Sequence, residues 1–270
     1  MKFAVLLIVA CGTVAAQILP PTLTELFDKG VQAQKAGQLD AAEKAFLEVL
    51  EQGGKQAFVY NNLGIVYQQR GHHQEAMAQF REAIRLDAKY AAPRVLIGVS
   101  LLALGRVRDA AAELERAVTI DPREPAARIE LAAAYERAGN LAATVEQLRE
   151  LRRLSPRDPE FAYQLGRAYV KLSSQCIREI ERIAPGSARV HQILAENLMV
   201  QGRTGEAVAA YLRAAASDPA LAGIHLVLAQ IYLREGKADE ARREIERELA
   251  IVPESATALA LRRQLDGQRP

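Results

Sequence analysis

Apolar residues recur every three or four positions through most of this chain, in short stretches that are separated by polar turns. That spacing puts one apolar stripe on each of a series of short helices. The pattern repeats, because a Gly or Ala returns every 34 residues at five successive places. The sequence therefore predicts an all-α chain built from repeated pairs of helices. The five places are Gly30, Gly64, Gly98, Ala132 and Gly166.

The frame around each small residue is clearest in residues 57–90. Repeat positions are counted from the first of these residues, Ala57, as position one. Its members there are Tyr60, Leu63, Gly64, Tyr67, Gly71, Ala76, Phe80 and Ala83. This spacing resembles the 34-residue helix-turn-helix signature of the tetratricopeptide-repeat family. The resemblance implies a tetratricopeptide-repeat solenoid, which is a right-handed superhelix of helix-turn-helix pairs, and it implies binding as the general role. The glycine at position fifteen suits the left-handed conformation that ends a helix.

The frame can be followed almost to the end of the chain. It assigns residues 23–158 to repeats one to four and residues 188–255 to repeats six and seven. From Leu23 to about Pro253 we expect helices and short turns only. An array needs a polar outer face at its end. Residues 256–270 are therefore predicted to form a capping helix, from Ala256 to Leu265, and a tail.

The period is broken once, in residues 159–187. The interval from Gly166 to Ala195 is 29 residues, and so is the interval from Pro156 to Pro185. Each of these two intervals is therefore five residues shorter than the 34-residue period. The sequence therefore lacks the turn between the two helices of repeat five.

What remains of repeat five predicts one long helix. No Gly or Pro lies between Arg167 and Ala184, and one apolar stripe keeps its phase across the join. We expect a helix of about 20 to 25 residues, about 30 to 37 Å long, with a tight turn at Ser173–Ser174 as the alternative. Such a helix cannot stack as a normal pair, so the array should divide there into a block of four repeats and a block of two. The stripe consists of Leu165, Tyr169, Leu172, Cys176, Ile180 and Ala184.

The first residues have the character of an export signal. A positive residue precedes a continuous apolar run from Phe3 to Ala10, and small residues follow. We predict a signal peptide in residues 1–16, a linker in residues 17–22 and a protein that is periplasmic or secreted. The alternative is a membrane-anchored lipoprotein, because the residues up to Cys11 resemble the bacterial lipoprotein cleavage motif. A retained membrane helix is disfavoured, since this run cannot span roughly 30 Å of hydrocarbon.

Composition and motifs give no sign of catalysis. A formal net charge of +2 leaves no basic stripe for nucleic acid. No nucleophile elbow, zinc-protease motif or phosphate loop occurs in the sequence. His72 and His73 are too few to close a metal site, while His191 and His225 hold equivalent positions in successive repeats and are predicted to pack. We expect no enzyme activity, cofactor or metal, and we interpret Cys176 as a small apolar residue of the stripe.

Binding is expected on the face formed by the first helix of each repeat. The family resemblance implies which positions of that helix line the groove. In repeats one to three these positions are largely apolar with amides among them. In repeats four to six they turn charged, as at Glu130, Glu136, Arg137 and Lys171. The groove residues of repeats one to three are Phe27, Val31, Phe58, Asn61, Asn62, Ile65, Gln69, Val95, Leu96, Val99 and Leu102.

Two functions fit these observations. The favoured one is a non-enzymatic interaction scaffold outside the cytoplasm, which binds a peptide or protein partner along the groove residues. The alternative is a self-assembling structural protein that uses the same residues as a homodimer interface. The carboxylate clamp of chaperone-binding relatives is disfavoured, since only Asn62 fits that pattern and Leu96 stands where it requires Arg.

Overall fold

The computed structural model describes residues 19–267 as helices joined by short turns, without a strand in that range. This confirms the predicted all-α architecture of helix pairs. In chain order the helices are α1 (Pro21–Lys35), α2 (Leu39–Glu51), α3 (Ala57–Gln69), α4 (His73–Leu86), α5 (Ala92–Ala103), α6 (Val107–Ile120), α7 (Pro125–Arg137), α8 (Leu141–Leu154), α9 (Pro159–Ile183), α10 (Ala188–Val200), α11 (Thr204–Ser217), α12 (Ile224–Arg234), α13 (Ala238–Ile251) and α14 (Ala256–Asp266).

Glycine at position fifteen of the repeat ends the first helix of each complete pair. The six glycines have φ between 72° and 80°, a left-handed conformation in which a Cβ would be strained. The residue after each glycine starts the return of the chain into the second helix. This local rule explains why the predicted turns and the observed turns coincide. The glycines are Gly37, Gly71, Gly105, Gly139, Gly202 and Gly236.

The two helices of a pair approach each other closely at position eight of the repeat. A Cβ added to Gly64 would lie 2.5 Å from the ring of Phe80, and one added to Gly98 would lie 2.5 Å from Leu114. Phe80 and Leu114 hold position twenty-four, and both are fully buried. The small residue therefore admits the large side chain of the second helix, which builds the core of each pair.

The chain forms two compact units, with the boundary inside α9 after Lys171. The core of the first unit is built from apolar residues of α1 to α8. The core of the second unit is built from α10 to α14. The capping helix α14 covers the end of the second unit with Ala258 and Leu265 buried, and it exposes Arg263 and Gln264. A polar outer face at this end matches the prediction.

Helix α9 spans 25 residues without a break. The turn proposed as an alternative at Ser173 and Ser174 does not form, because both residues are inside the helix. Cys176 is exposed, so its interpretation as a packed residue is wrong for the single chain. The apolar stripe keeps its helical phase through α9, but around Cys176 no other helix of the described chain covers it.

Three buried polar side chains join α12 to α13 in the second unit. Nδ1 of His225 lies 2.6 Å from a carboxylate oxygen of Glu244, and both residues are buried. The other oxygen of Glu244 accepts a hydrogen bond from Arg247 at 2.6 Å. Glu248 accepts hydrogen bonds from the backbone N–H groups of Gly223 and Leu226, which satisfies donors at the start of α12. His225 is thus a packing residue, as predicted, with a specific partner.

The start of α1 corrects the predicted linker. Residues 21–22 already belong to α1, because Pro21 occupies the first helical turn, where its missing N–H costs nothing. Leu19 is buried in the core of the first pair, and its carbonyl accepts a hydrogen bond from Thr24. The predicted signal peptide in residues 1–16 and the rival site at Cys11 lie outside the described residues.

Candidate functional site

The first helices of the first unit lie side by side and are linked by side chains. The rings of Phe27 on α1 and Phe58 on α3 meet edge to face at 5.0 Å between centroids. Gln68 of α3 donates to the carbonyl of Leu96 on α5 at 3.0 Å. Arg137 of α7 donates to the carbonyl of Leu102 at 3.2 Å. These contacts make one continuous face from α1 to α7, which is the arrangement that a groove requires.

Six apolar groove residues on this face are half-buried. Five of them pack against the cores below them, and all six keep part of the side chain accessible. A side chain in this state can gain further burial from a partner at about 25 cal/mol per Å² of apolar surface. We call these residues the apolar patch: Phe27, Val31, Phe58, Ile65, Leu96 and Val99.

Three other groove residues lie inside the protein. Val95 is 2% exposed and Leu102 is 7% exposed, and both belong to the core around α4 to α7. Asn61 is 4% exposed. The prediction that these three line an accessible surface is wrong, because the neighbouring helix pair covers that side of each first helix.

The amide groove residues differ in what they offer to a partner. Asn62 is half-buried and donates to the carbonyl of Phe58 at 2.7 Å, so its side chain is held in place. Gln69 is exposed near the end of α3. The amide N–H groups of Gln68 already donate hydrogen bonds to the carbonyl of Leu96 and to the hydroxyl of Ser100, at 3.0 and 2.8 Å. Asn62 and Gln69 therefore remain as the amides beside the apolar patch.

Charged side chains appear on this face from α7 onward, as the sequence predicted. Burial raises the pKa of the Glu130 carboxyl above its ordinary value, and the nearby Arg137 opposes this effect. Glu136 forms an ion pair with Lys171 of α9, and both side chains are partly exposed. The apolar patch is therefore bordered by charged groups on the α7 side.

Sequence reasoning missed a basic depression formed by α4, α5 and α6. Its volume is about 370 Å³. Four arginines line it, and two acidic residues offset part of their charge. Glu113 accepts from Arg94 at 3.0 Å and from Arg116 at 2.5 Å. The depression draws residues from three helices, so no single stretch of sequence marks it.

Candidate metal ligands do not cluster in the described part of the chain. Within residues 19–267 no group of three or more His, Cys, Asp or Glu side chains could hold a metal ion. Glu146 and Glu150, one turn apart on α8, are each paired with an arginine at the surface. No helix in the same range is long and apolar enough to cross a membrane.

Several solved structures are similar to this chain at low sequence identity. A crystal structure of MamA protein is 19% identical, covers 73% of this chain and 92% of its own, and has a TM-score of 0.46. YrrB, whose structure is described as a tetratricopeptide-repeat protein with an unusual peptide-binding site, is 17% identical over 82% of this chain and 100% of its own, with a TM-score of 0.43. A tetratricopeptide-repeat protein from Parabacteroides merdae is 13% identical over 92% and 100%, with a TM-score of 0.48. Among curated proteins none matches.

Three family models match the sequence, and each is described as a tetratricopeptide repeat. They match residues 24–89, 101–163 and 194–256. Together they cover more than two thirds of the chain, and the stretch between the second and third matches contains most of α9. Proteins built from this repeat generally act as non-enzymatic scaffolds for protein interaction. The chain belongs to the tetratricopeptide-repeat family.

Proposed function

We propose that this protein is an interaction scaffold outside the cytoplasm, whose apolar patch binds a peptide segment of a protein partner. One observation carries the proposal. Six apolar side chains on three adjacent first helices are half-buried on one face, with Asn62 and Gln69 beside them. A peptide bound there would bury its own apolar side chains on the patch, while the amides would bond its backbone.

Export is the second part of this proposal, and it rests on the first residues of the chain. The apolar run from Phe3 to Ala10, followed by small residues, fits a cleaved signal peptide. When the full chain is expressed in a bacterium that has an inner and an outer membrane, the periplasmic fraction should contain a product that begins at Gln17. Mass spectrometry measures this start. A product that stays in the cytoplasm with the leader attached would exclude export.

The binding proposal predicts that Leu96→Asp weakens peptide association. Peptides selected from a random displayed library against the purified chain supply the ligand, and calorimetry measures Kd. We expect Kd to rise at least tenfold, because a charge within the patch must lose water when the peptide binds. Phe58→Ala should act in the same direction by removing the ring that contacts Phe27.

Leu47→Asp is the matched control for this test. Leu47 lies on the second helix α2, is 38% exposed and is not a groove residue. It should leave Kd and the circular dichroism spectrum unchanged. Equal weakening by both variants, or none by Leu96→Asp, would contradict peptide binding at the patch. If light scattering shows a wild-type dimer that Leu96→Asp dissociates, the patch is a homodimer interface instead.

A further inference from the structure

Four positions of the repeat are buried in every complete helix pair of the described chain. Positions eight, twenty, twenty-four and twenty-seven are buried in all six pairs. They form the contact between the first and second helix of the same repeat. Position twenty-four shows this best, because it always holds a large side chain in the core: Phe46, Phe80, Leu114, Leu148, Tyr211 and Ile245.

None of the same four positions is buried in α9. Gly166 holds position eight and is exposed, whereas the corresponding Gly64 is buried against Phe80. A Cβ added to Gly166 would meet no atom within 4 Å. Ser173 is exposed, and Ile177 at position twenty-four is only half-buried. The contact that holds every other pair together is therefore unmade in repeat five.

The two halves of repeat five cannot make this contact within one chain. Gly166 and Ile177 lie on one continuous helix, about 16 Å apart along its axis at about 1.5 Å per residue. The apolar face of α9 begins buried at Phe161, Leu165 and Ala168. Gly166 and Ile177 lie on another side of α9, about 100 to 120° away from Leu165 around the helix axis. On that side Tyr163 and Tyr169 are 60% and 48% exposed. This side is thus left without a partner helix in the single copy.

We propose that α9 packs antiparallel against α9 of a second copy of this chain, so that Ile177 of each copy fills the space beside Gly166 of the other. A second copy fits because α9 contains both the first-helix contact residue of repeat five, Gly166, and its second-helix contact residue, Ile177. One antiparallel contact completes both pairs at once, with the two-fold symmetry of a closed dimer. A shortened turn favours such an exchange, since the element can no longer fold back on its own chain.

Exposed aromatic residues of α9 agree with the antiparallel register. Opposing Gly166 to Ile177 places the two-fold axis between residues 171 and 172 along α9. Tyr163 and Tyr169 lie within about 60° of Gly166 around the helix axis, so their exposed rings would flank this contact. This dimer does not depend on the apolar patch of repeats one to three.

Restoring the lost turn tests the proposal. The variant carries five extra residues after Leu172, a copy of Gly139–Ala143 from the turn of repeat four. Sedimentation equilibrium at about 10 µM should give the mass of two chains for the wild type and of one chain for the insertion variant, because the hairpin can then close within the chain. A monomeric wild type, or a dimer that the insertion leaves intact, would overturn the proposal.

Gly166→Leu tests the same contact without altering chain length. The structure has space for this side chain in a single copy, so helicity should not fall, yet it would occupy the site of Ile177 and raise the dimer dissociation constant at least tenfold. Gly205→Leu is the control, since Gly205 is also exposed in a helix with no atom within 4 Å of an added Cβ. An unchanged dimer in Gly166→Leu would refute the register.

Cysteine pairing distinguishes this dimer from one that uses another surface. Chains with Cys11 and Cys176 replaced by Ser carry either Gly166→Cys or Ile177→Cys. Under mild oxidation a mixture of the two should form a disulfide between unlike chains, because only the antiparallel register brings these positions together. Neither variant alone should cross-link. Failure of the mixture to cross-link would contradict the proposal, and Leu96→Asp should leave the α9 dimer intact.

Discussion

Gly64→Leu is expected to destabilise the first unit by about 3 kcal/mol, the upper end of the overpacking range. Any Cβ at this position lies 2.5 Å from Cε1 and 2.7 Å from Cδ1 of the Phe80 ring. Phe80 is fully buried and cannot move aside without opening the pair of α3 and α4. The figure of about 3 kcal/mol is net of about 1 kcal/mol that the better helix propensity of Leu recovers. The result is a less stable pair of α3 and α4.

Thermal unfolding followed by circular dichroism measures this effect. We expect a midpoint lower by about 6 to 12 °C, given about 2 to 4 °C per kcal/mol for a domain of this size. Gly205→Leu makes the same chemical change at an exposed helical site and should leave the midpoint equal or slightly higher. If Gly64→Leu melts like the control, the close approach at position eight is not what holds the pair together.

His225→Leu is expected to destabilise the second unit by about 2 kcal/mol. The substitution removes the partner of a buried Glu244 carboxylate oxygen, which lies 2.6 Å from the imidazole Nδ1. Arg247 still bonds the other oxygen, but the first would be left without a partner away from water. The cost comes from the unpaired buried charge more than from the lost imidazole.

A double variant separates these two causes. His225→Leu combined with Glu244→Leu removes both members of the pair, and Arg247 can stay hydrated because its side chain is 56% exposed. We expect this double variant to be less destabilised than the sum of the two single variants by at least about 1 kcal/mol. Urea unfolding of all four chains measures this coupling. Strict additivity would show that His225 and Glu244 do not act as a pair.

The sequence determined the order and the ends of the helices. The 34-residue period gives the pairs, and glycine at position fifteen gives the turns through a left-handed conformation that few other residues adopt. The five-residue deletion likewise predicted one helix in repeat five, which α9 is. These features are local, since each depends on backbone conformation and on the phase of a stripe over neighbouring residues.

The special role of Glu248 in the second unit could have been anticipated from the same 34-residue frame. Position twenty-seven is Val, Ala or Leu in the other complete repeats, but it is Glu248 in repeat seven. A carboxylate at a buried position signals a hydrogen-bonded role, and the structure shows that it bonds the first backbone N–H groups of α12. Its partners come from another helix, so the frame could mark the residue without naming them.

Only the tertiary structure decided which stripe residues meet solvent. The period places Val95 and Leu96 on the same helix, yet Val95 is core and Leu96 remains half-buried in the apolar patch. The sequence alone also could not show that Gly166 and Ile177, which match buried positions elsewhere, are not buried in α9. The physical reason is that a stripe records which side of a helix is apolar, whereas burial depends on which other helix packs there. In this chain that partner is the other helix of the same repeat or a helix of a neighbouring repeat for most helices, and on one side of α9 it is absent within the single copy.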